Sequence, residues 1–311
     1  MRAVVFFPKK KIFLFLLLFL SLSGLRIFPG QDSKIKIVTT VFPLLEFSKA
    51  VGGERAEASL LLPPGAEIHT WRPRPSDMVR VSAADVFIYI GAELEPWVPD
   101  LLKSINNPEL EIWEASAAFD LLKTSSGPHP GHNHKMYDPH IWLDFAIDQM
   151  IVDKIASLLS EIEPSHASLF RKNADTYKAK LQALDQKYKQ GLKECVHRTF
   201  VLGGHSAFGY LAHRYNLHQI SLYGLSPNSE PTSKQLIQVV KMAKQHDIKV
   251  IYFEIYISDK LARVIAEEVG ARTLALNPGA NFTRQQLESG TTFFDIMEKN
   301  LENLRDGLIC Q

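Results

Sequence analysis

Residues 164–193 read P-S-H-A-S-L-F-R-K-N-A-D-T-Y-K-A-K-L-Q-A-L-D-Q-K-Y-K-Q-G-L-K. After its first position this stretch contains no proline and only one late glycine, Gly191. We predict a helix of about 28 residues, which at 1.5 Å per residue would be about 40 Å long. A helix of that length does not fit inside either half of the chain, so we interpret residues 164–195 as a rigid connection between two lobes. Its apolar residues recur at the spacings of one helical face: Leu169, Tyr177, Leu181, Leu184, Tyr188 and Leu192.

On both sides of this helix, short apolar runs alternate with helix-like stretches. Such continuous apolar strands, interleaved with helices, indicate a mainly parallel sheet that is covered on both faces. The sequence therefore predicts two α/β lobes, residues 31–163 and 196–311, joined by one long helix. The cleft between two lobes is a usual place for a small ligand. The predicted strands are residues 34–42, 58–62, 85–90, 199–202, 219–223, 250–253 and 273–276, and the predicted helices include residues 77–84, 97–104, 233–246 and 260–269.

The composition is that of a folded globular protein, with 46% hydrophobic and 22% charged residues among 311. This length is enough for two domains that each bury a core. Lysine and arginine total 35 against 34 acidic residues, so the chain has no large excess of positive charge that would bind the phosphate backbone of a nucleic acid. We therefore expect no nucleic acid among the partners.

The N-terminal residues 1–30 have the pattern of a secretory signal. Arg2 and three consecutive lysines at positions 9–11 precede the apolar run of residues 12–25. This run is shorter than the roughly 20 residues that a spanning helix needs, so we expect cleavage near Gln31 and no membrane anchor in the mature protein. No cysteine follows the run that could carry a lipid. We expect a soluble, monomeric protein in the oxidising periplasm.

The two cysteines, Cys195 and Cys310, leave two possibilities open. They are too few for a disulfide framework, but an exported protein can form one bridge between them. Two buried free thiols are the alternative. The sequence does not show their separation, so it does not choose between the two.

Three histidines stand at the ends of predicted elements, in loops that project side chains into a cleft. His69 lies in a proline-rich loop, His140 in Y-D-P-H-I-W-L-D, and His205 directly after a strand and a glycine pair. Neutral imidazole suits zinc, copper, nickel and iron. The large spacing between these histidines excludes a zinc finger or an H-E-x-x-H helix. Asp138 or Asp144 could orient His140 from behind, although Asp144 could equally cap the following helix.

The same motifs resemble those of a known family. The loop H-T-W-R-P-R-P-S-D that begins at His69, D-P-H-I-W-L-D at 138–144, G-H-S-A-F-G-Y-L-A at 204–212 and S-P-N-S-E-P-T-S-K-Q-L at 226–236 are similar to motifs of the zinc and manganese solute-binding proteins of ABC importers. The resemblance covers essentially all of the mature chain in the right order. It implies two α/β lobes joined by one long helix, with a metal held between them by His69, His140 and His205.

A histidine-rich stretch precedes the second motif. His129, His132 and His134 lie in the glycine- and proline-containing loop 125–135. A solvated loop without a role is one interpretation. Zinc-transporting members of the family have a similar loop, whereas manganese members usually lack it, and the resemblance therefore favours zinc over manganese. The three imidazoles would form an auxiliary site that gathers metal weakly, because ordering a flexible loop opposes binding.

The fourth ligand is where this chain departs from the family. Many members have an aspartate in an L-D-P context where this chain reads A-L-N-P, which makes Asn277 the aligned residue. Asparagine binds a metal only through a neutral carbonyl, so three imidazoles leave the charge of the ion uncompensated unless water, hydroxide or a carboxylate such as Glu67 approaches. We expect three histidines and an exchangeable fourth position, and we expect Asn277→Asp to tighten zinc binding.

We interpret the chain as a binding protein that delivers zinc to the permease and ATPase of an ABC importer, and not as an enzyme. A zinc-dependent hydrolase is the alternative from another class, because catalytic zinc also has three protein ligands and a water. It would need a general base, for which Glu67 and Glu230 are the candidates. An adhesin built on the same fold is a third possibility.

Overall fold

The computed structural model describes residues 33–123, 137–226 and 231–311. In the first lobe, four strands form a parallel sheet in the order β2-β1-β3-β4. This open parallel sheet confirms the fold predicted for the first half of the chain. The strands are β1 (Ile35–Thr39), β2 (Ala56–Leu60), β3 (Val86–Tyr89) and β4 (Glu111–Glu114), and the helices between them are α1 (Phe42–Gly52), α2 (Pro75–Ser82) and α3 (Val98–Ser104).

The sequence did not predict strand β4. Its residues read E-I-W-E, and it lies at an edge of the sheet, so it lacks the continuous apolar run that marks a strand buried on both faces.

Two helices follow the first sheet, α4 (Phe145–Ile162) and α5 (Ala167–Gly191). The long helix α5 has 25 residues and begins three residues later than the proline, because residues 164–166 form a 3₁₀ turn. This helix does not only connect the lobes but also packs against the rest of the protein. Its buried face carries Phe170, Ala174, Tyr177, Leu181, Leu184 and Tyr188.

The second lobe repeats the arrangement of the first, with a parallel sheet in the order β6-β5-β7-β8. The final helices α9 and α10 were not among the sequence-based predictions. The elements are β5 (Thr199–Leu202), α6 (Gly209–Arg214), β6 (His218–Ser221), α7 (Ser233–Gln245), β7 (Val250–Glu254), α8 (Lys260–Val269), β8 (Arg272–Leu276), α9 (Arg284–Glu288) and α10 (Phe293–Leu308).

Helix α5 contacts both lobes. Near its beginning, Asn173 Nδ2 donates to the carbonyl oxygen of Val51 at 2.9 Å, and near its end the Tyr188 hydroxyl donates to the carbonyl oxygen of Met297 on α10 at 2.6 Å. The largest cluster of buried apolar side chains runs without interruption from Ile35 in β1 to residues of α10. The two lobes therefore share a core, which limits how far they can separate.

Cys195 and Cys310 form a disulfide, which decides between the two alternatives that the sequence left open. The bond joins the segment after α5 to the end of α10. No helix among the described residues is long and apolar enough to cross a membrane. The predicted signal at 1–30, the histidine-rich loop 125–135 and Glu230 lie outside the described residues, and the lobe boundaries at 163 and 195 remain predictions.

Candidate metal centre

The three motif histidines come together between the two lobes. His69 lies in the loop between β2 and α2, His140 immediately precedes the 3₁₀ turn that leads into α4, and His205 lies in the loop after β5. Side chains that follow parallel strands project from the carboxyl edge of the sheet, which is where ligands of open α/β sheets bind. His69 and His205 are positioned in this way by one sheet from each lobe.

The imidazole nitrogens lie close enough together to share one ion. One ring nitrogen from each of His69, His140 and His205 lies within 4.8 Å of the other two. The Nε2 atoms of His140 and His205 are 3.2 Å apart. Two nitrogens bound to zinc at about 2.0 to 2.1 Å in tetrahedral geometry would be roughly 3.3 Å apart. Among the residues that the structure describes, this is the one cluster of three or more histidine, cysteine or acidic side chains that could hold a metal.

His140 is oriented by Asp138. Its Nδ1 lies 2.8 Å from Asp138 Oδ1, and its backbone N–H donates to the same oxygen at 2.9 Å. A proton on Nδ1 leaves the Nε2 lone pair directed at the cavity, as metal-bound imidazoles require. Asp144 does not take this role, because it caps α4 through the N–H of Ala146 and pairs with Arg214 at 2.8 Å.

His205 is oriented by Glu254, a residue that the sequence analysis missed. The backbone N–H of His205 donates to Glu254 Oε1 at 2.7 Å, and Nδ1 lies 2.8 Å from Oε2. Burial lowers the pKa of His205, but the carboxylate of Glu254 outweighs it, and the pKa is raised. The signal in the sequence was an acidic residue at the end of the otherwise apolar strand V-I-Y-F-E.

Two glycines of the third motif make room for these carboxylates. A Cβ atom at Gly204 would lie 2.0 Å from Glu254 Oε1, and one at Gly209 would lie 2.2 Å from Asp138 Oδ2. Any side chain at either position would therefore displace the group that orients a histidine. The glycines thus have a direct role in the geometry of the site.

His69 differs from the other two histidines because one of its ring nitrogens has no polar partner within the described ranges of the chain. Its Nε2 is buried and has no hydrogen-bond partner among the described residues. Burial, followed by the neighbouring His140 and His205, lowers the pKa of His69 to about 2. The imidazole is therefore neutral at any physiological pH. A buried nitrogen without a partner is rare in native proteins, and a bound cation would give it one.

The cavity between the imidazoles is small, and its three histidines are buried. Its volume is about 20 Å³, and the exposed fractions of His69, His140 and His205 are 5%, 1% and 3%. This space holds about one water-sized object and no organic substrate. The other lining residues are Ala66, Glu67, Ile68, Glu254, Tyr256, Ile257, Pro278, Ala280 and Asn281.

The two candidates for a fourth ligand occupy different places. Glu67 lines the histidine cavity, and its carboxylate accepts a hydrogen bond from the N–H of Thr70 at 3.0 Å. Burial raises the pKa of Glu67. Asn277 instead lines a neighbouring cavity of about 240 Å³, and its Oδ1 accepts the N–H of Gly279 at 2.9 Å. This carbonyl is the only atom through which asparagine binds a metal, and the role of Asn277 as a fourth ligand stays a prediction.

Comparison with known proteins gives a consistent assignment. The profile of a family described as "Zinc-uptake complex component A periplasmic" matches residues 37–307. The chain is 36% identical over 289 residues to the high-affinity zinc uptake system protein ZnuA of Bacillus subtilis, covering 91% of this chain and 90% of that protein. It is also 36% identical to the zinc-binding lipoprotein AdcA of Streptococcus pneumoniae, of which it spans 56% while 88% of this chain is covered.

Solved structures of relatives have the same fold. The crystal structure of the Zn(II)-bound ZnuA-like domain of Streptococcus pneumoniae AdcA matches with a TM-score of 0.75 at 35% identity, covering 89% of this chain and 99% of that domain. The laminin-binding protein Lmb of Streptococcus agalactiae matches with a TM-score of 0.77 at 29% identity, covering 89% of this chain and 100% of that one. Lmb is described as a bifunctional protein with adhesin and metal transporting activity.

Proposed function

Because the chain belongs to the family of periplasmic zinc-uptake complex component A proteins, we propose that it captures zinc in the periplasm and delivers it to the permease of an ABC importer. The observation that carries the proposal is the cluster of three buried imidazoles, whose ligand nitrogens lie within 4.8 Å of one another. In this proposal, His69, His140 and His205 are the direct ligands. The signal at 1–30 directs export, and an ATPase drives transport through the permease.

Zinc fits this donor set better than manganese does. Three neutral nitrogens suit zinc, which tolerates low coordination numbers, whereas manganese prefers oxygen-rich sites. The ion's charge is balanced through the imidazoles, because Asp138 and Glu254 are each hydrogen-bonded to a ligand histidine. We propose that the fourth position is held by an exchangeable water, with Glu67 as the carboxylate in the lining that does not contact a ligand histidine through an ion pair.

Neither alternative function is supported as well as transport. A hydrolase needs space for its substrate beside the metal, and the cavity of about 20 Å³ has none. Adhesion needs a surface that is exposed to the partner. The three histidines are buried, so they give no support to a role in adhesion. We therefore propose a solute-binding protein without catalytic activity.

Competitive titration of the metal-free mature chain, residues 31–311, with zinc and a chromophoric chelator tests the ligand assignment. We expect one tightly bound zinc ion per chain. Alanine at each of the three ligand histidines should lower zinc affinity at least about 100-fold, or roughly 2.7 kcal/mol. His218→Ala is the matched control, because His218 is an exposed histidine. Near wild-type affinity in two of the three ligand variants would refute the assignment.

Two further variants separate the tight site from its surroundings. Glu67→Ala should change zinc affinity less than about tenfold, or roughly 1.4 kcal/mol, if water holds the fourth position. Deletion of residues 125–135, which removes His129, His132 and His134, should leave the tight site intact and abolish weaker additional binding. If the deletion destroyed tight binding, a histidine of this loop would have to be the fourth ligand.

Growth measurements test the role in transport. Loss of the gene should slow growth in medium treated with a zinc chelator, and added zinc but not manganese should restore it. Restoration by the wild-type gene but not by one that encodes His140→Ala would tie the effect to the site. Equal growth with and without the gene in such medium would argue against import.

A further inference from the structure

Two segments, one from each lobe, form much of the wall of the histidine cavity. The first is the loop 61–69, which contributes Ala66, Glu67, Ile68 and His69 to the lining. The second is the segment 278–283 after β8, which contributes Pro278, Ala280 and Asn281. Since each ligand histidine is at most 5% exposed, an ion between them cannot leave unless a wall of the cavity moves.

Hydrogen bonds join these two segments directly. Asn281 Nδ2 donates to the carbonyl oxygens of both Pro63 and Ala66, each at 2.8 Å. The backbone N–H of Gly65 donates to the carbonyl oxygen of Phe282 at 2.9 Å. One side-chain amide therefore binds two carbonyl oxygens of the loop that ends in His69. Among the residues that the structure describes, the bond from Gly65 is the only backbone hydrogen bond between the two segments, and it lies beside this amide.

Asn281 is itself held firmly. Its side chain is 1% exposed, and its Oδ1 accepts the N–H of Phe282 at 2.8 Å. Its carbonyl oxygen accepts the hydroxyl of Tyr256 at 2.7 Å, and the base of the segment is fixed where Trp142 Nε1 donates to the carbonyl oxygen of Pro278 at 2.6 Å. The N–H of Phe42 also donates to the carbonyl oxygen of Ala280 at 2.8 Å, so the bonds from Asn281 and Gly65 are the ones that join this segment to the loop that ends in His69.

We propose that Asn281 is a latch that sets how fast a metal ion enters and leaves the histidine cavity. This inference rests on the proposed function, because it assumes that zinc is the occupant. Asn281 holds the loop 61–69 against the segment 278–283 and does not bind the ion. Since the two bonds from Asn281 hold one wall of the cavity in place, the latch must open both for binding and for release.

A latch has a kinetic signature that a supporting residue lacks. Loss of two hydrogen bonds to buried carbonyls makes opening easier in the empty and in the loaded protein alike, by about tenfold in the opening equilibrium. The association and dissociation rate constants should therefore rise together, while the equilibrium affinity changes little. A residue that merely positions His69 would give faster dissociation without faster association.

Stopped-flow measurements on the full mature chain test the proposal, with zinc association followed by a fluorescent indicator and dissociation by an excess of chelator. Asn281→Ala removes both donated bonds. Asn281→Ser is a milder second variant that keeps an acceptor for Phe282 but cannot reach both carbonyls. Asn107→Ala is the matched control, because Asn107 Nδ2 also donates to two carbonyl oxygens, those of Ser82 and Ala84, within the first lobe.

We expect both rate constants to rise at least about fivefold in Asn281→Ala, with the dissociation constant within about threefold of wild type and no change in the control. Unchanged rate constants in both Asn281 variants, or faster dissociation with unchanged or slower association, would overturn the latch. Either result leaves the proposed function intact. Absence of zinc binding by the unmodified chain would instead refute the proposed function, before any variant is made.

Discussion

Replacing Glu254 with glutamine tests whether the second lobe orients its ligand through this carboxylate. Glu254 is 3% exposed, and it contacts both the backbone N–H and Nδ1 of His205. Glutamine keeps the shape, removes the charge and turns one acceptor oxygen into a donor that faces an N–H group. Partners of this kind are worth about 10- to 100-fold in metal affinity, so we expect a loss of roughly 1.4 to 2.7 kcal/mol.

The pH dependence of this loss has a definite sign. Glu254 raises the pKa of His205, so protons compete with zinc more strongly in the wild-type protein than in the variant. As pH falls through the pKa of His205, wild-type affinity therefore drops more steeply. The deficit of Glu254→Gln should be largest at alkaline pH and should shrink towards acidic pH.

Competitive zinc titration against a chelator at several pH values measures this effect. Glu95→Gln is the matched control, because Glu95 is also 3% exposed but accepts hydrogen bonds from Thr40, Ile90 and Gly91, away from the cavity lining. An affinity for Glu254→Gln within about threefold of wild type at alkaline pH, or an equal loss in Glu95→Gln, would refute the reasoning.

Three other variants test the structure independently. Asp148 is fully buried, and neither of its carboxyl oxygens has a hydrogen bond within the part of the chain that the structure describes. Burial, followed by the charge of Asp144, raises its pKa well above the usual range. The neutral form is favoured in the folded state, so stability declines as pH rises above the unfolded pKa. Asp148→Asn should therefore stabilise the protein at pH 7, and urea denaturation should show that this gain disappears below about pH 4. Serine at both Cys195 and Cys310 opens a loop with a sequence separation of 115 and should lower the free energy of unfolding by at most roughly 5 kcal/mol; an unchanged urea midpoint would contradict this. Asn277→Asp should leave zinc affinity within about threefold, because Asn277 lines the neighbouring cavity; a clear gain in a competitive titration would return it to the site.

Much of the fold could be predicted from local patterns. The periodic apolar face of α5 and the β-branched run of β1 were enough to predict their secondary structure, because side-chain burial repeats with the period of the element. The predictions failed where that signal was weak, as in the edge strand β4 with its charged ends. Strand β5, by contrast, was predicted at its observed bounds, residues 199–202.

The sequence by itself also determined the three candidate ligands, since His69, His140 and His205 each lie in a recognisable local motif at the end of an element. Only the tertiary structure decided their partners. Glu254 meets His205 because β7 lies beside β5 in the sheet, and strand order is a long-range property that no local pattern encodes. In the same way, Asn281 reaches Pro63 across a sequence separation of 218. Asn277 lines a neighbouring cavity, although its sequence context aligned it with a metal ligand of the family. Local sequence specifies which groups are available, and the packing of the two lobes specifies which of them meet.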